Sequence, residues 1–206
     1  MTAIFDLPAE TLGEHVDRLA AVEAAADTVQ AWQPMLVPGL LQSYSYAAAA
    51  IHAGAPALPL PVVDERAAAR TTRIDRVGRP GARRITAVID QSALYRPVGG
   101  VDTLADQLDR ILALDALQPT LTVRVLPRGM DDHPGLLGAF TLYRVAGRWG
   151  VFTESLTASQ ISARPVDVAA YASAWDRLLG LALPPRESVE LIEEARGTLC
   201  RRTKTA

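Results

Sequence analysis

Hydrophobic positions recur with a helical period over the first part of the chain. From about residue 9 to residue 32, apolar side chains lie three or four positions apart, and Thr11 with Glu14 has the spacing of a capping box. This pattern predicts a long N-terminal helix, and Pro38 with Gly39 predicts a turn after it. The same period predicts two more helices in this half of the chain, over residues 40–54 and 62–77.

Alternation of apolar and polar positions begins at residue 83. Residues 83–90 alternate and are rich in β-branched side chains, which predicts a strand. Similar patterns predict three more strands, over residues 121–127, 138–145 and 149–154. Amphipathic stretches predict helices between and after them, over residues 101–117, 165–183 and 184–199. The order of elements predicts an α+β fold, in which helices surround a small mixed or antiparallel sheet of about four strands.

Length and composition favour one folded domain. The chain has 206 residues, of which 49% are hydrophobic and 21% charged, as in globular proteins. We therefore expect a single small-molecule-binding domain over residues 1–206, with the N-terminal helix as an extension and a frayed tail at residues 200–206. The net charge of −2 provides no broad positive field, which disfavours nucleic-acid binding.

The N-terminus and the cysteine content predict the compartment. No basic segment followed by an apolar one resembles a signal peptide, and no uninterrupted apolar stretch reaches the roughly 18 residues of a membrane span. The single cysteine, Cys200, has no partner for an intramolecular disulfide. These features predict a cytoplasmic protein that makes no membrane contact.

Known metal and cofactor motifs are missing from the sequence. His15, His52 and His133 are far apart and none belongs to a metal-binding spacing. Residues 78–84 read GRPGARR, which is not a dinucleotide-binding glycine motif, and no P-loop or nucleophile elbow occurs. We expect neither a metal nor a cofactor, so any chemistry would use acid, base and hydrogen-bonding side chains.

Several segments taken in order resemble a known family. They read LVPGLLQ, ALYRPVGG followed by QLDRIL, TVRVLP, HPGLLGAFTL, VFTE and YASAWDRLLGLALPPRESVELI. Over about residues 22–199 the chain resembles the domain of unknown function that follows an Xre-type helix-turn-helix unit in many actinobacterial regulators. The resemblance implies a role in sensing or in protein interaction. Only one helix is predicted before Pro34, and its charge is mainly acidic, so we expect no DNA-binding unit and no direct contact with nucleic acid.

The chain departs from that family where charged residues are usual. Asp90 and Gln91 stand where relatives have Asp-Glu, Tyr95 replaces an arginine, and the segment TTRID replaces an Arg-Gln pair. These departures predict a pocket or an interface altered for a different partner.

Three residues are candidates for acid or base catalysis. Asp90 and Glu154 end predicted strands, where side chains commonly face a crevice, and His133 lies in a loop. Each also has a simpler interpretation: Asp90 as a helix N-cap, Glu154 as the partner of an arginine, and His133 as a solvated loop histidine.

Polar and aromatic residues are candidates for holding a ligand. Gln42 and Tyr46 are four positions apart and face the same way on the second predicted helix. Arg70 and Arg73 could hold an enolate or a carboxylate, although a solvated helix face is the simpler interpretation. The predicted substrate-binding set is Gln42, Tyr46, Arg73, Gln91, Tyr95, Tyr143 and Trp149, and for the aromatic members core packing is the alternative.

Two classes of function remain open from the sequence. The first is a cofactor-independent enzyme that acts on an apolar natural-product intermediate by dehydration, conjugate addition or cyclisation. The second is a ligand-sensing or antitoxin-like module that works with a separate DNA-binding partner. An exposed apolar stripe on the first helix would also make a homodimer reasonable.

Overall fold

The computed structural model describes residues 12–77, 83–155 and 158–203. The helices of these residues are α1 (Leu12–Ala25), α2 (Tyr44–Gly54), α3 (Leu60–Thr71), α4 (Arg73–Arg76), α5 (Val101–Leu117), α6 (Pro165–Leu181) and α7 (Pro185–Thr203). The strands are β1 (Thr28–Gln33), β2 (Arg84–Asp90), β3 (Leu121–Leu126), β4 (Phe140–Val145), β5 (Arg148–Glu154) and β6 (Ser159–Ser162). Short 3-10 helices cover Gly39–Leu41, Gln91–Tyr95 and Pro134–Leu137. None of the helices in the described part of the chain combines the length and apolar character needed to span a bilayer.

The six strands form one mixed sheet in the order β3-β2-β1-β4-β5-β6. The first three strands in that order run parallel, with Ala31 opposite Ala87, and the rest pair antiparallel, with Trp32 opposite Phe140. An α+β fold with a mixed sheet is therefore confirmed, but the predicted size of about four strands is wrong. β6 was missed because SQIS is short and mainly polar.

The long N-terminal helix predicted over residues 9–32 is also wrong beyond Ala25. Residues Thr28–Gln33 form β1, which lies in the middle of the sheet and bonds to strands on both sides. A strand covered on both faces does not alternate, and the burial of TVQAWQ shows no strict alternation. Its apolar residues therefore fit the helical period equally well. Residues 9–11 of that prediction lie outside the described residues.

Other boundaries also differ from expectation. The helix predicted over residues 40–54 begins at Tyr44, so Gln42 lies outside it. The predicted helix over residues 62–77 is split at Thr72 into α3 and α4. The tail predicted to fray at residues 200–206 is helical as far as Thr203, and residues 204–206 lie outside the described residues.

Each face of the sheet packs against helices, so alternate residues of a strand enter different cores. On one face, Val29 and Ile85 join a large core that includes residues of α1, α5 and α7. On the other face, Trp32 and Val88 pack with Trp175 of α6 in a smaller core. Because the strand ends lie between these two layers, side chains at the sheet edge are partly screened from solvent.

Candidate functional site

A cleft lies at the sheet edge where β2 and β3 end. Parallel strands present their carboxyl ends at the same edge, and the loop that leaves β3 forms one wall of the cleft there. The cleft has a volume of about 270 Å³ and is called the His133 cleft below. It is lined by Asp90, Ser92, Pro127, Arg128, Gly129, Met130, Asp131, His133 and Leu136.

His133 is the buried titratable residue of this cleft. Only 8% of its surface is exposed, and its ring meets Trp32 edge to face at 5.6 Å between centroids. Nδ1 of His133 is buried and has no hydrogen-bond partner among the described residues. A buried polar atom without a partner is costly, so this nitrogen distinguishes His133 from the other residues that line the cleft. The simpler interpretation of His133, as a solvated loop histidine, is therefore wrong.

Trp32 and Gly135 fix the loop that carries His133. The indole Nε1–H of Trp32 donates to the carbonyl oxygen of Gly135 at 3.0 Å. A Cβ atom at position 135 would lie 2.6 Å from the same indole, so only glycine fits against the ring. Sequence reasoning missed Trp32 because it was assigned to the first helix.

Asp90 caps a short helix and also lines the cleft. Its Oδ1 accepts a hydrogen bond from the backbone N–H of Ser92 at 2.8 Å, as an N-cap residue does. Among the described residues no donor binds its second oxygen. The N-cap interpretation is confirmed, and it leaves one carboxylate oxygen for another contact.

Gln91 and Tyr95 support Arg128 at the wall of the cleft. Gln91 Oε1 accepts a hydrogen bond from the backbone N–H of Arg128 at 2.8 Å. The Arg128 guanidinium lies over the Tyr95 ring, 5.0 Å from its centroid. Both residues were predicted to bind a substrate, and the structure places them behind Arg128 and not in the lining.

A second set of polar side chains, one each from α1, α4 and β4, meets in the interior away from the cleft. Glu23 binds Arg73 through both carboxylate oxygens, with 2.8 Å between Oε2 and Nε, and Tyr143 donates its hydroxyl to Glu23 Oε1 at 2.9 Å. We call Glu23, Arg73 and Tyr143 the Glu23 cluster. Glu23 and Tyr143 are each 2% exposed. Each of the three side chains therefore has a hydrogen-bond partner within the cluster.

Gln42 and Tyr46 also lie in the interior. Gln42 donates to the Val37 carbonyl oxygen at 2.8 Å and accepts from Arg70 at 3.1 Å, and the Tyr46 hydroxyl accepts from the Val37 N–H at 3.3 Å. Tyr46 is fully buried. They belong to a packed structure and do not line the cleft.

Burial and neighbouring charges shift several pKa values in this interior region. Burial lowers the pKa of Arg73, but the charge and hydrogen bond of Glu23, with smaller contributions from Tyr143 and Glu154, leave the pKa raised overall. Burial and then the same carboxylate raise the pKa of Tyr143 well above its ordinary value. Burial, followed by the positive charge of Arg73, lowers the pKa of Arg70.

Glu154 lies apart from Asp90. Its strand, β5, is separated from β2 by β1 and β4, which puts the two strands roughly 14 Å apart at the usual spacing. Glu154 is exposed, is absent from the lining of the His133 cleft, and acts electrostatically on Arg70 and Arg73. The two carboxylates therefore do not share the crevice that the sequence predicted.

Trp149 and the other two predicted aromatic residues, Tyr95 and Tyr143, lie on different faces of the sheet. Trp149 packs against the core around α6, and the Arg144 guanidinium lies 5.8 Å from its ring centroid. Tyr95 and Tyr143 pack on the other face. The predicted aromatic wall of Tyr95, Tyr143 and Trp149 is not assembled.

A second cleft, of about 220 Å³, lies beside β6 and the start of α6. Its charged residues neutralise each other, since Arg164 lies 3.8 Å from Asp167. The Ser162 hydroxyl donates to Asp167 at 2.6 Å. Its described lining contains no buried polar atom without a partner. In residues 12–77, 83–155 and 158–203, no group of three or more His, Cys, Asp or Glu side chains could hold a metal ion.

Comparison with protein families gives one assignment. The family model of a domain of unknown function, DUF5753, matches residues 16–194. The chain belongs to the DUF5753 family. Comparison with curated protein sequences finds no significant match. The DUF5753 match includes all six strands, so the His133 cleft and the Glu23 cluster both lie within the family domain.

Proposed function

We propose that this chain binds a small organic molecule in the His133 cleft and catalyses a proton transfer within that molecule. The reaction would need no cofactor. One observation carries the proposal, namely that the buried Nδ1 of His133 has no partner among the described residues. A side chain that moves a proton on a ligand needs a donor or acceptor atom that the fold has not already bound. The Glu23 cluster lacks that property, because the Glu23 carboxylate already accepts hydrogen bonds from Arg73 and Tyr143.

Two of the titratable residues that line the cleft, His133 and Asp90, suit different roles. His133 would exchange the proton, since an imidazole ring has one nitrogen that can donate a proton and one that can accept it. Asp90, held by the N–H of Ser92, would orient the ligand or stabilise positive charge through its second oxygen. Glu154 has no part in this mechanism because it lies on a distant strand.

Size and polarity limit the substrate. A cleft of about 270 Å³ is slightly smaller than common ligand sites, which have roughly 300–1,000 Å³. Its lining includes Asp90, Arg128 and Asp131 beside Met130 and Leu136. This favours a molecule with polar groups over a wholly apolar intermediate. Dehydration, conjugate addition and cyclisation by proton transfer all remain within the proposal.

Replacement of His133 tests the proposal directly. In His133→Phe the uncommitted nitrogen disappears and an aromatic ring still packs on Trp32, so we expect the free energy of unfolding to stay the same or rise by about 1 kcal/mol. We expect the same variant to lose the small molecules that co-purify with the wild type, or that it transforms, as seen by untargeted mass spectrometry.

His52→Phe is the matched control, because His52 is an exposed histidine of α2 away from the cleft. It should retain the wild-type ligands and turnover. If His133→Phe retains them as well, His133 has no part in the function. If His133→Phe binds the ligand normally and loses only its conversion, the histidine is a catalyst and not an anchor.

A ligand-sensing regulatory module is the second candidate. The resemblance to domains that follow an Xre-type helix-turn-helix unit supports it, as do two exposed leucines beside the cleft. Leu136 is 68% and Leu137 is 96% exposed, and Leu136 lines the cleft. A ligand in the cleft would therefore change an apolar surface that a separate DNA-binding partner could use. Ligand binding without any conversion, together with ligand-dependent capture of a partner that Leu137→Asp abolishes, would favour this function over catalysis.

A further inference from the structure

The charges of the His133 cleft are not paired with one another. The Arg128 guanidinium is exposed and stacks on Tyr95, but it forms no hydrogen bond or ion pair with any described residue. Asp131, which lines the same cleft, likewise forms no ion pair within the described part of the chain. One oxygen of Asp90 is also open. The cleft thus presents uncommitted charges of both signs.

The second cleft shows what internal pairing looks like in the same molecule. There Arg164 and Asp167 neutralise each other, and Asp167 also accepts from Ser162. In the His133 cleft, Arg128 is instead held over Tyr95 by the cation–π contact and the Gln91 bond to its backbone. This support fixes the guanidinium without consuming its N–H donors.

We infer that the His133 cleft recognises a small zwitterion, with a carboxylate bound by Arg128 and an ammonium group facing Asp131 and Asp90. An amino acid with an apolar side chain has this chemistry, because Met130 and Leu136 supply the apolar part of the lining. The inference rests on the proposed function only in taking this cleft as the functional site. It goes further by naming the class of ligand.

Three chemically matched probes test both charges. L-leucine carries both charges, N-acetyl-L-leucine keeps only the carboxylate, and L-leucinamide keeps only the ammonium group. Dissociation constants would be measured by titration calorimetry or by NMR shifts into the millimolar range. The corresponding three compounds of alanine and of phenylalanine would be measured in parallel, and each set of three is called a triplet. We expect a free amino acid to bind about ten- to a hundredfold more tightly than either derivative, the range for hydrogen bonds to charged groups.

Two single substitutions assign each charge to its residue. Arg128→Gln should weaken the free amino acid and its N-acetyl form about tenfold or more and leave the amide unchanged. Asp131→Asn should weaken the free amino acid and the amide but not the N-acetyl form. Arg164→Gln, in the second cleft, is the control and should change none of the three.

The outcomes separate this inference from the proposed function. The inference is overturned if no triplet binds, if the three probes of each triplet bind alike, or if Arg128→Gln leaves carboxylate binding intact. In that case a recovered ligand whose conversion depends on His133 would still support the proposed function. Conversely, zwitterion binding with the expected variant pattern but no conversion would retain the inference and remove proton transfer.

Discussion

The Glu23 cluster and the His133 cleft differ in whether their buried polar groups have hydrogen-bond partners. In the Glu23 cluster, a carboxylate, a guanidinium and a phenol bind one another in the interior. In the His133 cleft, an imidazole nitrogen is equally shielded from solvent, yet none of the described residues binds it. A satisfied group stabilises the fold, whereas an unsatisfied one costs free energy and is retained where it meets a ligand. The contrast distinguishes residues that stabilise the fold from residues that could contact a ligand.

Removing one member of the Glu23 cluster should have the largest effect. Glu23→Leu leaves Arg73 partly buried beside an apolar side chain, so we expect a loss of about 3 kcal/mol in the free energy of unfolding, measured in urea. Adding Arg73→Met should recover part of this loss. The exposed pair of Arg196 and Asp109 is the control, and Asp109→Asn should cost under about 1 kcal/mol. Equal losses from both pairs would remove the distinction drawn here.

A smaller effect is expected where the loop of the His133 cleft meets Trp32. Gly135→Ala places a methyl group 2.6 Å from the indole, which should cost about 1–3 kcal/mol and shift the fluorescence of the tryptophan. In Gly180→Ala the added methyl meets nothing within 4 Å and lies in α6, so it should stabilise by about 0.5–1 kcal/mol. If Gly135→Ala is as stable as wild type, the loop is not held against Trp32 as described.

The smallest expected effect is a pH dependence of the Glu23 cluster. Since the pKa of Tyr143 is raised in the folded state, its contribution is fully present below the unfolded pKa of about 10 and is lost as the pH rises from there through the folded value. Wild-type stability should fall relative to Tyr143→Phe by up to about 1.4 kcal/mol per pH unit above that point. Parallel stability curves for the two proteins between neutral pH and pH 11 would contradict the assigned shift.

The sequence predicted local elements better than their assembly. Strand β2 and helix α5 follow clear hydrophobic periods, so both were recognised. Strand β1 was not, because a central strand covered on both faces loses the alternation that identifies strands. Strand order is set by long-range pairing, which a local pattern does not contain.

The lack of long-range information in a local pattern also explains why only some of the candidate site residues lie together in the structure. Asp90 and His133 were selected as a strand end and a loop histidine, and both line the cleft. Glu154 was grouped with Asp90 because both end strands, but their separation depends on the two strands that lie between them. Trp32, which fixes the His133 loop, lies in a segment whose apolar residues continue the helical period, so the sequence does not point to its role.

The central position of β1 has a consequence for trimming this domain. Its backbone pairs with β2 on one side and with β4 on the other. It is therefore the strand at which the parallel part of the sheet meets the antiparallel part. Deleting the residues up to Gln33 would remove far more than a terminal appendage. The remaining polypeptide would hold two separate ribbons, each with a newly bared edge that invites aggregation.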